Sequence, residues 1–214
     1  MKKSVYSIVL MDDVIKAVDE QAYRLGTSRS NLINQILAEH LSCTTPEMRM
    51  REIFNSVSSF VNNSFQIQQQ RSASLMTLRT ALQYKYRPTI NYKVELERAP
   101  NEYLGTLRIQ IRTQSSSLIS LFNNFFVYRI KLEMNELSKH GYNNYNCELS
   151  AGSCTRQLIN SGELSEEQIG EALSLYLTNL DNSIKTFFAA PDAFSAAAPE
   201  LQYDYQKQLK HIII

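Results

Sequence analysis

The sequence predicts a mostly helical α+β protein with minor β content. An N-terminal module is expected to form an intertwined dimer, and a helical domain with one antiparallel β-hairpin follows it. Two observations lead to this prediction. Residues 4–41 hold an alternating stretch and two amphipathic helical patterns, and after residue 88 the apolar spacing changes from about 3.6 residues to about 2. A length of 214 residues allows a small module beside a larger domain.

Residues 4–10 alternate as a half-buried β-strand does, because side chains point to opposite sides along a strand. One side carries Tyr6, Ile8 and Leu10. The other side carries Val5, Ser7 and Val9. A helix is predicted to begin near Asp12 and to end at Gly26, and a second one covers 31–41.

One strand and two short helices cannot bury a core alone, because the strand lacks hydrogen-bond partners and little apolar surface is hidden. The segment is therefore expected to pair with a second copy. The side chains predicted to form the dimer core are Tyr6, Ile8, Leu10, Val18, Leu32 and Ile36. The dimerisation module is assigned to residues 1–43.

The order of these parts, with the turn Gly26-Thr27-Ser28-Arg29-Ser30 between the helices, resembles the ribbon-helix-helix family of bacterial repressors, the Arc/MetJ type. The resemblance covers about residues 3–42. It implies that two strands, one from each subunit, enter the major groove of double-stranded DNA. The implied base-reading residues are Val5, Ser7 and Val9. The implied phosphate contacts are Lys2, Lys3, Thr27, Ser28 and Arg29, the last three at a helix start that attracts anions.

The base-reading positions depart from the family's pattern. Members of the family usually carry long polar or basic side chains there, whereas Val5 and Val9 offer only methyl groups. Valine can pack on the thymine methyl group, and the Ser7 hydroxyl can donate a hydrogen bond to a base or accept one from it. The alternative is that the module only dimerises the chain and no longer binds DNA.

The second domain is assigned to residues 46–188. A long helical pattern begins at Pro46 and runs to about residue 86, as one helix or two, and a β-hairpin is predicted over 89–113. Apolar helices follow at 115–139 and 165–188, the latter starting with a Ser165–Gln168 capping box, and a short helix is expected at 152–160. Residues 189–214 are predicted to be a linker and a C-terminal tail.

Catalytic and cofactor motifs are scarce, so an enzyme is not expected. The three histidines lie on unrelated segments, and no glycine-rich phosphate loop, nucleophile elbow or HExxH pattern occurs. Cys43, Cys147 and Cys154 have irregular spacing, which favours reduced thiols over disulfides or a zinc site. No cofactor or metal is predicted. No apolar run has the length of a membrane span and no signal peptide is evident, so a cytoplasmic protein is expected.

The sequence thus predicts a sequence-specific DNA-binding transcriptional regulator that acts as a homodimer or higher oligomer. Two alternatives remain open: an accessory DNA-binding protein of plasmid mobilisation or partition, and an antitoxin-like protein that neutralises a partner through its C-terminal region. Residues 46–188 carry helix and hairpin patterns that predict an autonomous fold. This weighs against the antitoxin alternative, because antitoxin tails are often disordered until bound. A small-molecule effector is also left open, but no residue pattern supports one.

Overall fold

The structure, a computed structural model, describes residues 5, 7–61, 64–68, 72–162, 164–210 and 213–214. The chain divides into two compact units, Met1–Arg49 and Met50–Ile214. Within the described residues it contains six α-helices, six β-strands and one short 3₁₀ helix.

The first unit contains two helices, α1 (Asp12–Leu25) and α2 (Arg29–His40), which pack against each other. Ala22 of α1 and Leu32 and Ala38 of α2 are buried. The strand predicted over residues 4–10 is not found in the described part of that stretch. Residues 5 and 7–10 have no regular secondary structure, and residues 4 and 6 lie outside the described part of the chain. The described residues of this alternating stretch form no strand within the single chain, because a strand exists only where another strand completes its hydrogen bonds.

The second unit is an antiparallel sheet combined with helices. Helix α3 (Pro46–Phe60) leads into it across the boundary between the units. Its strands are β1 (Gln66–Gln68), β2 (Leu75–Ala81), β3 (Thr89–Leu96), β4 (Tyr103–Arg112), β5 (Cys147–Ser150) and β6 (Ser153–Ile159). Its other helices are α4 (Ser116–Lys139), α5 (Glu166–Ala189), the 3₁₀ helix Pro191–Ala193 and α6 (Phe194–Leu209).

The six strands form one sheet in the order β1-β2-β3-β4-β6-β5, and every neighbouring pair is antiparallel. One face is buried and largely apolar, because alternate residues of each strand point to the same side. Residues on this face include Met76, Leu78, Ile90, Tyr92, Val94, Leu107, Ile109 and Leu158. Lys93, Glu95, Arg108 and Gln110 on the opposite face are exposed. Such a division is typical of an antiparallel sheet covered by helices on one side.

The helices contribute an aromatic cluster to the same core. It contains Phe122, Phe125 and Phe126 of α4, Phe187 and Phe188 of α5 and Phe194 of α6, with ring centroids 4.6–6.4 Å apart. Helix α5 approaches α3 at Gly170, where an added Cβ would lie 2.4 Å from the Ser56 Cβ. Glycine is therefore required for this helix contact.

The predicted fold class is wrong in both parts. The described residues of the first unit form helices and no ribbon strand, so a ribbon-helix-helix module is not found, and the second unit is not a helical domain with a single hairpin. Residues 89–113 do contain the antiparallel pair β3–β4, but these are two strands of six. The stretch 61–86 was predicted as helix from the spacing of its apolar residues, whereas Met76, Leu78, Thr80 and Leu82 are buried at every second position. The short helix expected at 152–160 is strand β6.

Residues 189–214, predicted to be a linker and tail, contain helix α6. Pro199 lies inside this helix, and Leu201, Tyr205 and Leu209 are buried. An alanine-rich sequence favours a helix, and the buried apolar side chains stabilise this one. The prolines at 191 and 199 obscured that tendency, because proline usually interrupts helices.

Candidate functional site

The turn between α1 and α2 is built from local hydrogen bonds. Gly26 ends α1 with φ 61° and ψ 33°, a left-handed conformation that costs glycine little. The Thr27 amide donates to the Ala22 carbonyl at 3.0 Å, and the Ser28 hydroxyl accepts from the Asn31 amide at 3.2 Å. The turn therefore holds residues 27–29 at the beginning of α2, as a helix cap does.

The predicted phosphate contacts in this turn are only partly available. Ser28 and Arg29 are exposed. The Thr27 amide already donates to the Ala22 carbonyl, and the Thr27 hydroxyl accepts from the Asn31 side chain at 2.9 Å. Arg29 donates from Nη2 to the Asp19 Oδ2 at 2.6 Å. Sequence reasoning missed this pair, since the two residues are ten positions apart across the turn. Lys2 and Lys3 lie outside the described residues.

The predicted base-reading residues all lie on the surface. Val5 and Val9 are each 100 % exposed, and Ser7 is exposed as well. Complete exposure places the methyl groups of both valines in water, without contact from the described residues of the protomer. This stretch is therefore free to contact another molecule.

The predicted dimer-core residues are mostly not buried within the protomer. Leu32 is buried, Leu10 and Val18 are half-buried, and Ile8 and Ile36 are about half exposed. Tyr6 lies outside the described residues. Further large apolar side chains of the first unit are exposed as well: Met11, Val14, Ile15, Tyr23, Leu25, Leu37 and Leu41. We call the exposed apolar residues Val14, Ile15, Leu25, Ile36, Leu37 and Leu41 the uncovered apolar set.

The second unit has a cleft of about 870 Å³ where the β2–β3 loop meets the end of α5. Leu82, Tyr84 and Phe188 supply apolar and aromatic lining, and Lys85 and Arg87 supply positive charge. Among the described residues that line it there is no carboxylate, histidine, cysteine or serine. Its apolar, aromatic and positively charged lining suits an anion with an apolar part.

A charged cluster lies in the interior of the second unit. The side chains of Arg129 and Arg156 are each about 2 % exposed, and they flank Glu133. The Arg129 guanidinium carbon lies 4.4 Å from the Tyr205 ring centroid, and that of Arg156 lies 4.4 Å from the Tyr176 ring centroid. Such stacking stabilises a buried guanidinium.

Burial by itself would raise the pKa of Glu133, but the charges of Arg156 and Arg129 outweigh that effect and lower it. Glu133 therefore stays ionised between its two arginines. Because these groups are almost entirely enclosed, the cluster is a structural element of the core and not a binding site.

Neither a metal site nor a membrane-spanning helix is found among the residues that the structure describes. In the part of the chain that the structure describes, His, Cys, Asp and Glu side chains do not converge in groups of three or more that could hold a metal ion. Within the same residues, no helix combines the length and apolar character that crossing a membrane requires.

Comparisons with known proteins add no relative. The chain matches no protein-family model, no curated protein and no solved structure.

Proposed function

We propose that the chain is a cytoplasmic homodimer that binds specific sequences of double-stranded DNA through its first unit and regulates transcription. The observation that carries this proposal is the full exposure of Val5 and Val9 beside Ser7. The resemblance of the turn Gly26–Ser30 to that of bacterial repressors supports it. The second unit is assigned no chemistry of its own in this proposal.

The uncovered apolar set supports a dimer. Its residues are between 37 % and 66 % exposed, and they all lie on two short helices or directly after the second one. Leaving this many large apolar side chains in water is unfavourable, at about 25 cal/mol for each Å² that could be buried. A second copy of the same unit is the simplest partner, because an identical helix pair offers an equally apolar face.

Base contacts are assigned to residues 5, 7 and 9. The thymine methyl group is exposed in the major groove, and valine methyl groups can pack on it. Ser7 can donate to or accept from a base edge, which adds a polar contact between two apolar ones. These contacts favour sites rich in A·T pairs.

Phosphate contacts are assigned to Ser28 and Arg29. The Arg29–Asp19 pair does not prevent this, because its side chains are 68 % and 34 % exposed and such surface pairs contribute about 1 kcal/mol at most. With a phosphate bound at the start of α2, Arg29 would exchange Asp19 for the phosphate, which is a stronger partner. Contacts of this kind position the protein and supply affinity without sequence preference.

Selection from a random duplex library with the full-length chain tests the proposal. We expect one enriched sequence with two-fold symmetry, as a homodimer requires. Fluorescence anisotropy at two salt concentrations should then separate this duplex from a scrambled one of equal length, because phosphate attraction alone would be shared by both. The proposal is overturned if no sequence is enriched, or if an enriched duplex and its scrambled form bind with equal affinity.

A further inference from the structure

Two cysteines meet in the β5–β6 hairpin. Cys147 lies opposite Arg156 in the register, and Cys154 lies opposite Leu149, so the two cysteines are diagonal neighbours on one face of the sheet. Their Sγ atoms are 3.0 Å apart. A disulfide bond is about 2.05 Å long, so bond formation requires a movement of only about 1 Å.

The two thiols differ in access and in acidity. Cys147 is half-buried, whereas Cys154 is 2 % exposed. A hydrogen bond from the Cys154 thiol lowers the pKa of Cys147, and the same interaction together with burial raises the pKa of Cys154. Since the thiolate is the nucleophile, Cys147 is the member of the pair that an oxidant in solution meets first.

We propose that Cys147 and Cys154 are a modification site that forms a reversible intramolecular disulfide on reaction with a hydroperoxide. In the first step the Cys147 thiolate attacks the outer peroxide oxygen, the O–O bond breaks, and water or an alcohol leaves after protonation. Cys147 is then a sulfenic acid. In the second step the Cys154 sulfur attacks the Cys147 sulfur, the S–O bond breaks, and the released hydroxide takes the Cys154 proton to form water. Each peroxide accepts two electrons, one pair, from the two thiols.

The hairpin gives the bond a structural consequence. Strand β5 is an edge strand that pairs only with β6 in the described sheet. A disulfide would tether it covalently to β6, next to Arg156, whose guanidinium carbon lies 5.6 Å from the Tyr145 ring centroid. Oxidation is therefore expected to slow amide exchange in residues 147–150. This inference does not depend on the proposed DNA binding.

Thiol counting on the full-length chain tests the proposal directly. The reduced protein has three free cysteines, and treatment with stoichiometric hydrogen peroxide should leave one, Cys43. Intact mass should fall by two hydrogen atoms, peptide mapping should join residue 147 to residue 154, and dithiothreitol should restore all three thiols. Retention of three thiols, or a disulfide that includes Cys43, would overturn the proposal.

Three serine variants define the roles of the cysteines. Cys43→Ser is the matched control, because Cys43 is exposed and lies in the first unit, and this variant should form the disulfide as the original chain does. Cys154→Ser should lose the disulfide and accumulate a Cys147 sulfenic acid that dimedone traps. Cys147→Ser should form neither product. Dimedone labelling of Cys154 in place of Cys147 would contradict the assigned order of reaction.

Discussion

The Glu133 carboxylate binds the Arg129 guanidinium in the core of the second unit, with Oε1 2.5 Å from Nε. Its other oxygen, Oε2, lies 3.1 Å from the Arg156 Nε, and the Tyr176 hydroxyl donates to Oε1 at 2.8 Å. One carboxylate therefore connects helix α4, strand β6 and helix α5. Within this cluster it is the counter-ion of two buried guanidinium groups.

The first prediction concerns this counter-ion. Glu133→Gln removes the carboxylate that lies between two buried arginines, while Arg156 keeps its hydrogen bond to the Ile214 oxygen. Breaking a buried ion pair in this way costs about 3 kcal/mol or more. Urea unfolding at neutral pH should show a fall of that size in the free energy of unfolding. Glu95→Gln is the matched control, because the Glu95–Lys93 pair is about half exposed and should contribute less than about 1 kcal/mol. Equal effects of the two substitutions would show that the buried cluster contributes little.

The second prediction concerns how the stability that Glu133 contributes changes at acidic pH. Because the folded-state pKa of Glu133 is below its ordinary value, the stability that it contributes is fully present above the unfolded pKa of about 4.3. That contribution is lost as the pH falls through the folded pKa. The difference in unfolding free energy between the original chain and Glu133→Gln should therefore shrink from neutral pH toward the most acidic pH at which both still fold. A difference that stays constant with pH would argue against an ionised Glu133.

Strong local signals allowed several helices to be predicted from the sequence. Observed α4 covers 116–139 and α5 covers 166–189, close to the predicted 115–139 and 165–188. The reason is local: Ser165 and Gln168 form the expected capping box at the start of α5. Such interactions involve residues only a few positions apart, so a sequence pattern contains all of the information they need.

The sheet could not be predicted in the same way. Strand β4 pairs with β6, and Leu107 lies opposite Arg156, 49 positions later in the chain. No local spacing reveals such a pair, and strand β2 contains apolar residues that fit a helix as well as a strand. The buried arginines were missed for a related reason, because charged residues are expected at the surface unless a distant partner compensates them.

The third prediction separates the two kinds of DNA contact. Ser7→Ala should reduce affinity for the selected duplex more than affinity for a scrambled duplex, because Ser7 is assigned to base edges. Arg29→Ala should reduce both affinities, since phosphates do not depend on sequence. Anisotropy titrations with both duplexes measure the two losses. Ser138→Ala, an exposed serine of the second unit, is the control and should change neither. Equal losses on both duplexes for Ser7→Ala would contradict its base-reading role.

The last prediction concerns the uncovered apolar set. Ile36 is 44 % exposed in the protomer, so Ile36→Asp should cost the isolated protomer little, whereas a charge placed in an apolar dimer interface should separate the subunits. Leu175→Asp is a matched control, because Leu175 is 42 % exposed on α5 of the second unit. Sedimentation equilibrium should give a dimer for the original chain and for Leu175→Asp, and a monomer for Ile36→Asp. The monomeric variant should also lose binding to the selected duplex, because one subunit reaches only half of a two-fold site. If Ile36→Asp remains a dimer, the subunits associate through another surface.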